Sequence, residues 1–315
     1  MHMMIFVPAF GGIVNAATFM TTHSLRDNLT AKGITSSLST LSFPDIAELR
    51  SMVTTIWYDT MPTSEYMLFI DSDMGFAPEV VNDMLLFGEP LVGAIYRQRK
   101  EPVSWAGSGT GQPNAERRGG FMEVEGVGMG CTLFKREVIT AILQKYPELS
   151  DDRIDLHPAV GIIRGSGANR LIRAFEKMDA PERGIISEDL SFCIRWRNCG
   201  GRVWAAVDKK ISHVGMFDFE GCYLDHLMQQ NQQAQMQQAQ QAAIADMHAK
   251  AAQWDALQMV QANVPQLQPM QVQMPVGQVL TDLGPLDDAQ PYTAYDKPVR
   301  TRRGRSRNGG GIAAE

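Results

Sequence analysis

Residues 66–73 read Tyr66-Met67-Leu68-Phe69-Ile70-Asp71-Ser72-Asp73, an apolar run that drives straight into two acids flanking a small residue. So short an apolar run predicts a buried strand. Carboxylates at the mouth of such a strand are expensive unless something positive compensates them. A hard divalent cation bridging diphosphate oxygens does so, and oxygen ligands suit Mn2+ or Mg2+. The structural alternative is an Asx-turn or helix cap, with Ser72 and Asp73 capping the next segment.

On either side of this run, apolar segments alternate with helix-like ones. Residues 4–8 read as a first strand opening onto Gly11 and Gly12. Residues 16–32 have helical periodicity and stop at Gly33. Residues 35–41 alternate as a second strand, 46–58 return to helix, Pro78 opens a helix through residue 87, and 91–96 form the next strand. This order predicts an α/β fold whose mixed, mostly parallel sheet carries helices on both faces. Ligands of such sheets sit at the carboxyl ends of the strands, where Pro8, Asp71 and Tyr96 fall.

Three distant pieces fit the same site. Residues 126–134, Gly-Val-Gly-Met-Gly-Cys-Thr-Leu-Phe, read as one glycine-rich strand before a helix near Arg136. Glycines in a strand mark a bulge or a close approach, which leaves room for donor sugar or acceptor at Gly130; tight packing explains them equally well. In Ile185-Ile186-Ser187-Glu188-Asp189-Leu190, Ser187 is set to cap a helix with two acids in its first turn, and Leu190 and Ile194 are spaced to face the core. The functional alternative makes one of these carboxylates a general base toward an acceptor hydroxyl. Residues 201–208 then read as a strand, followed by Ile211-Ser212-His213-Val214-Gly215. His213 is placed to complete a metal site begun by Asp71 and Asp73; a structural histidine is the alternative.

Taken together, Phe-Ile-Asp-Ser-Asp-Met with Pro78 following, Gly-Cys-Thr-Leu-Phe-Lys-Arg-Glu-Val, Ser-Glu-Asp-Leu with Arg195 and Gly200 downstream, and Ile-Ser-His-Val-Gly resemble the GT-A glycosyltransferases. The likeness is greatest to family-2-like enzymes of bacteria and phages, and it spans roughly residues 3 to 217. It implies a Rossmann-like GT-A fold and a nucleotide-sugar donor, often a UDP-sugar. Pro8 and Ala9 match positions lining the base pocket. Arg50 matches a basic residue of the second helix, although Ser51 stands where Asn usually follows. Asp71, Ser72 and Asp73 match the donor-contacting run, Asp71 and Asp73 match metal ligands, and His213 matches the third. Of the acidic pair, Asp189 is favoured as the base of an inverting reaction, with Glu188 second.

The chain has 315 residues, 44% of them hydrophobic, and a formal net charge of -6, which suits one core-forming domain with an appendage. The expected division is a GT-A domain over 1–224, a Gln/Ala/Met-rich helical segment over 225–263, and a disordered Pro/Gln-rich linker and Arg-rich tail over 264–315. The tail arginines, Arg300 to Arg307, suit nucleic acid, an anionic surface or no partner at all. No apolar run approaches the roughly 20 residues of a transmembrane helix. The four cysteines lack C-x-x-C pairing and read as thiols in a reducing cytoplasm. Residues 107–120 and 151–183 read as mobile loops that shape acceptor choice, with Trp105 as a sugar-stacking platform or a core-filling Trp. The acceptor itself, whether glycan, protein, lipid-linked sugar or modified nucleobase, is left open. A non-catalytic GT-A-like binding or assembly module is the alternative reading. A nucleotidyltransferase is weaker, because Gly11-Gly12 is too short for a phosphate-cradling loop.

Overall fold

The protein is described by a computed structural model covering residues 1–109, 115–182, 184–215 and 218–262. The expected linker and Arg-rich tail over 264–315 lie outside the described residues, as do residues 110–114 and Arg183 within the two expected loops. A first compact unit, residues 1–250, holds the sheet, its helices and every candidate site residue.

The elements run β1 (His2–Pro8), α1 (Ala16–Ala31), β2 (Thr35–Leu41), α2 (Ile46–Thr60), β3 (Tyr66–Ile70), β4 (Met74–Gly75), α3 (Glu79–Phe87), β5 (Leu91–Ala94) and β6 (Tyr96–Arg97). They continue through β7 (Trp105–Gly109), β8 (Arg117–Arg118), β9 (Phe121–Val127), β10 (Cys131–Lys135), α4 (Arg136–Lys145), β11 (Ser150–Asp151), α5 (Val160–Gly165), β12 (Leu171–Ile172), β13 (Asp179–Ala180) and β14 (Gly184–Ile185). The described chain ends with α6 (Glu188–Asn198), β15 (Val203–Ala206), β16 (Lys210–Val214), β17 (Asp218–Cys222) and α7 (Tyr223–Ala262).

The main sheet has the order β2-β1-β3-β10-β5-β15-β9-β7-β6, with β8 beside β9. Strands β1, β2, β3, β5 and β15 share one direction, while β10 runs against both β3 and β5. Strands β9, β7 and β6 extend the edge in antiparallel fashion. The α/β class read from the sequence is therefore what the chain forms, with an antiparallel flank added.

Alternation along the strands sends side chains to two cores. Met3, Ile5 and Val7 meet Leu25 and Leu29 of α1 and Val80, Val81 and Met84 of α3. Met4 and Phe6 turn the other way, toward Leu49, Met52 and Trp57 of α2, Ile139 of α4 and Phe192 of α6. Both faces of the central strands are covered, so β1, β3 and β5 read as nearly continuous apolar runs, unlike the edge strand β2. A second small sheet, in the order β17-β16-β4, pairs His213 with Met74.

Four local expectations are corrected. The glycine-rich stretch 126–134 is not one strand: β9 ends at Val127 and β10 begins at Cys131. The chain turns between them, and Gly128 and Gly130 have no room for a side chain, since Tyr96 Oη stands 2.7 Å and 2.5 Å from where their Cβ atoms would be. Ser187 does not cap α6 through its side chain; its hydroxyl donates to Asp189 instead. The core face of α6 is Phe192, Cys193 and Trp196 rather than Leu190 and Ile194, which are half-buried. Finally, the stretch after Asp151 is packed rather than loose, since Ile154, Ile163, Leu171, Ile172 and Phe175 all join the core. The segment expected to be helical over 225–263 falls in α7, whose side chains from Met228 to Lys250 are exposed. Cys131 and Cys193 are buried free thiols, and Cys199 and Cys222 are half-buried free thiols. Among the described residues, no helix is long and apolar enough to cross a membrane.

Candidate functional site

The turn after β3 is fixed from three sides. The backbone N–H of Asp71 donates to Gly130 O at 3.1 Å, and that of Asn15 donates to Ser72 O at 2.7 Å. Thr18 Oγ1 at the start of α1 donates to Met74 O at 2.9 Å. The chain continues into β4 rather than a helix, so Ser72 and Asp73 are not a helix cap. Val214 N donates to Asp73 O at 2.8 Å, which joins β16 to this turn. That pairing is how His213 reaches acids far away in the sequence.

Around the turn opens a cleft of about 410 Å³ lined by Pro8, Phe10, Phe43, Arg50, Asp71, Ser72, Asp73, Arg99 and His213. The structure thus brings together Pro8, Arg50, Asp71, Ser72, Asp73 and His213 of the residues singled out from the sequence. Ala9 is buried beneath, its N–H donating to Leu41 O at 3.0 Å. Arg50 is the electrostatic centre. Its guanidinium donates to Asp71 Oδ1 and to Glu188 Oε1, each at 2.7 Å, with its side chain only 5% exposed. Burial works against the Arg50 charge, but the carboxylates of Asp71 and Glu188 outweigh it and hold its pKa above the ordinary value.

Asp73 is held differently. Arg99 approaches its Oδ2 at 3.1 Å, while its Oδ1 is buried without a hydrogen-bond partner and faces His213 Nε2 at 3.5 Å. His213 Nδ1 lies 3.0 Å from the carbonyl oxygen of Arg97, which can only accept. In the neutral ring Nδ1 therefore carries the proton, and Nε2 presents a lone pair toward Asp73. With that tautomer, Asp73 Oδ1 and His213 Nε2 could together ligate a cation. A carboxylate oxygen and an imidazole nitrogen suit Mn2+, and Mg2+ less well. Among the described residues, no three His, Cys, Asp or Glu side chains stand together as a metal-holding group. The carboxylate of Asp71 is turned to Arg50 instead.

A neighbouring cleft of about 190 Å³ is lined by Gln98, Trp105, Gly107, Ser108, Gly126, Gly128, Ser187, Asp189 and Leu190. Asp189 Oδ1 accepts from Leu190 N at 2.7 Å and from the Ser187 hydroxyl. Trp105 is half-buried and packs edge-on to Tyr223 with ring centroids 5.2 Å apart. The Trp105 Nε1 and Ser108 Oγ atoms are buried without partners. Gly130 lines neither cleft; its N–H donates to Tyr96 Oη at 3.2 Å, and its carbonyl accepts from Asp71. Tyr96 is buried, and burial followed by the nearby Asp71 charge raises its pKa well above the ordinary phenol value. Tyr96 was expected at a ligand-bearing strand end and instead packs behind Gly128 and Gly130; Arg99, Gln98 and Ser108 were not singled out from the sequence.

A third cavity, of about 340 Å³, lies on the other flank of α2 among Asp45, Glu48, Asp151, His157 and Arg173. Its acids have local work: Asp45 caps α2 by accepting from Ala47 N at 2.8 Å, and Asp151 accepts from Arg153 Nε at 2.8 Å.

No protein-family model and no curated protein matches the chain. Solved structures do resemble it at low identity. A197 from STIV is 16% identical over 68% of this chain and 86% of its own, with a TM-score of 0.37. A mutant of Drosophila beta1,4galactosyltransferase 7, in complex with manganese, UDP-Gal and xylobiose, is 13% identical over 70% of this chain and 71% of its own, with a TM-score of 0.34. A glycosyltransferase involved in glycosylation of the major capsid of PBCV-1 is 11% identical over 51% of this chain and 74% of its own, with a TM-score of 0.27. At these scores the likeness assigns no function to the chain.

Proposed function

We propose that this chain is a metal-assisted, family-2-like GT-A glycosyltransferase. It moves a sugar from a nucleotide-sugar donor, a UDP-sugar, to an acceptor hydroxyl with inversion. The observation that carries this reading is the approach of Asp73 Oδ1, buried without a hydrogen-bond partner, to His213 Nε2 at 3.5 Å in a strand-end cleft. Asp73 and His213 would hold the cation, with Asp71 as the further ligand suggested by the resemblance. When bound, the cation would neutralise charge building on the departing diphosphate.

The chain's own residues divide the remaining work. Pro8 and Phe10 line the donor cleft where a nucleobase would lie, with Ala9 shaping the backbone beneath. Arg50 ties Asp71 to Glu188 and so couples the donor turn to the mouth of α6. That ion pair occupies Glu188 and leaves Asp189 as the base. Asp189 takes the proton of the acceptor hydroxyl as the acceptor oxygen bonds to the anomeric carbon. The bond from that carbon to the diphosphate breaks, and its electron pair leaves with the diphosphate. Trp105 and Ser108 line the acceptor side. The acceptor hydroxyl belongs to a glycan, protein, lipid-linked sugar or modified nucleobase.

The test is turnover of UDP-sugars with Mn2+ in the wild type and in Asp189→Asn. The variant is expected to lose roughly 10²- to 10⁴-fold in kcat while its affinity for UDP is unchanged. Equal turnover by the two proteins would remove Asp189 from the chemistry. Absence of donor turnover and nucleotide binding in the wild type would leave the binding-module reading in its place.

A further inference from the structure

We propose that Arg99 is a donor-binding residue that exchanges Asp73 for the diphosphate of a nucleoside diphosphate-sugar. This rests on the reading of the cleft as a nucleotide-sugar site and adds to it a phosphate-recognising residue from a segment with no sequence signal. Two guanidiniums serve the acidic turn, and they are held unequally. The Arg50 side chain is 5% exposed and bonded to two carboxylates, so it is a fixed part of the scaffold. The Arg99 side chain is 46% exposed and rests on Asp73 Oδ2 at 3.1 Å and on the carbonyl of Val214 at 3.3 Å. A half-exposed pair of this kind is worth little, so releasing it costs little.

The backbone beneath Arg99 is by contrast well fixed. Gln98 N donates to Ser104 O at 2.8 Å, Ser104 Oγ donates to Gln98 Oε1 at 3.0 Å, and Lys100 N donates to Gln98 O at 2.9 Å. The carbonyl of Arg97 two residues earlier meets His213 Nδ1. This short segment forms the wall between the two clefts, with Gln98 lining the Asp189 side and Arg99 lining the Asp73 side. A cation taking the carboxylate of Asp73 would displace a guanidinium from it. The nearest anion then offered to Arg99 is the diphosphate itself, whose oxygens a planar guanidinium fork suits better than an ammonium does.

Two binding measurements on the full chain test this. Calorimetric titration with UDP and with uridine, in Mn2+, compares the wild type with Arg99→Ala and Arg99→Lys. Arg99→Ala is expected to weaken UDP roughly 10- to 100-fold, leave uridine within about twofold, and be partly restored in Arg99→Lys. Titration with Mn2+ alone, followed by electron paramagnetic resonance, is expected to move the opposite way. Without Arg99 competing for Asp73, Arg99→Ala binds the metal at least as tightly as the wild type. Equal UDP affinity in wild type and Arg99→Ala would overturn the assignment while leaving the proposed function standing. Parallel loss of UDP, uridine and Mn2+ would reduce Arg99 to a structural role. A wild type that binds neither UDP nor uridine would overturn the nucleotide-sugar reading and this inference with it.

Discussion

At the scale of single residues, the site is a problem of charge compensation. Asp71, Asp73, Glu188 and Asp189 stand against Arg50 and Arg99, so carboxylates outnumber guanidiniums around the two clefts. Arg50 does most of the structural compensation. Replacing it by Ala leaves Asp71 and Glu188 facing each other without a counter-ion, their side chains only 27% and 14% exposed. Arg50→Ala is therefore expected to cost about 3 kcal/mol in chemical denaturation, at the low end for a broken buried pair because Asp71 keeps some solvent. A loss below about 1 kcal/mol would class the pair with surface ion pairs. Asp71, Asp73 and Glu188 were legible in the sequence because buried strand ends and helix first turns are where acids carry a reason. Arg99 was not. It sits between two short edge strands where no periodicity operates, and its partner Asp73 is brought to it only by tertiary structure.

At the scale of elements, the strand-helix alternation was legible because both faces of the sheet are covered and the apolar runs are unbroken. Strands β2 and β3 and the start of α2 fall where the sequence pattern puts them. The glycine-rich stretch was misread as one strand because local pattern carries no signal of Tyr96 standing across the fold against Gly128 and Gly130. The antiparallel insertion of β10 between β3 and β5 was likewise invisible, since reversal leaves the same apolar residues in the same alternation. It brings Thr132 opposite Gly93 on β5. A Cβ added at Gly93 would stand 2.6 Å from Val127 Cγ2 and 2.8 Å from Thr132 Oγ1. Gly93→Ala is expected to destabilise by about 1–3 kcal/mol through overpacking, with a lowered Tm in calorimetry. An unchanged Tm would mean that Val127 and Thr132 pack less tightly against Gly93 than the structure has them.

At the scale of the whole molecule, the two clefts share a wall and a charge network. Asp73 and His213 come together through the small β4–β16 pairing, Asp71 and Glu188 through Arg50, and Asp189 from the first turn of α6. The sequence analysis expected His213 beside Asp71 and Asp73; what brings it there is β16 returning to the turn after β3, which spacing alone does not encode. Everything proposed for the donor cleft depends on Asp73 and His213 forming a cation-dependent nucleotide site. That dependence is measured by the thermal shift of the full chain with UDP, with and without Mn2+, in the wild type and in Asp73→Asn. By mass action, UDP with Mn2+ at about 100 times its Kd stabilises the wild type by about 2.7 kcal/mol and raises its Tm. Omitting Mn2+, or replacing Asp73, is expected to abolish most of that rise. A UDP-induced shift of the same size in Asp73→Asn, or in the wild type without metal, would contradict a cation held by Asp73 and His213.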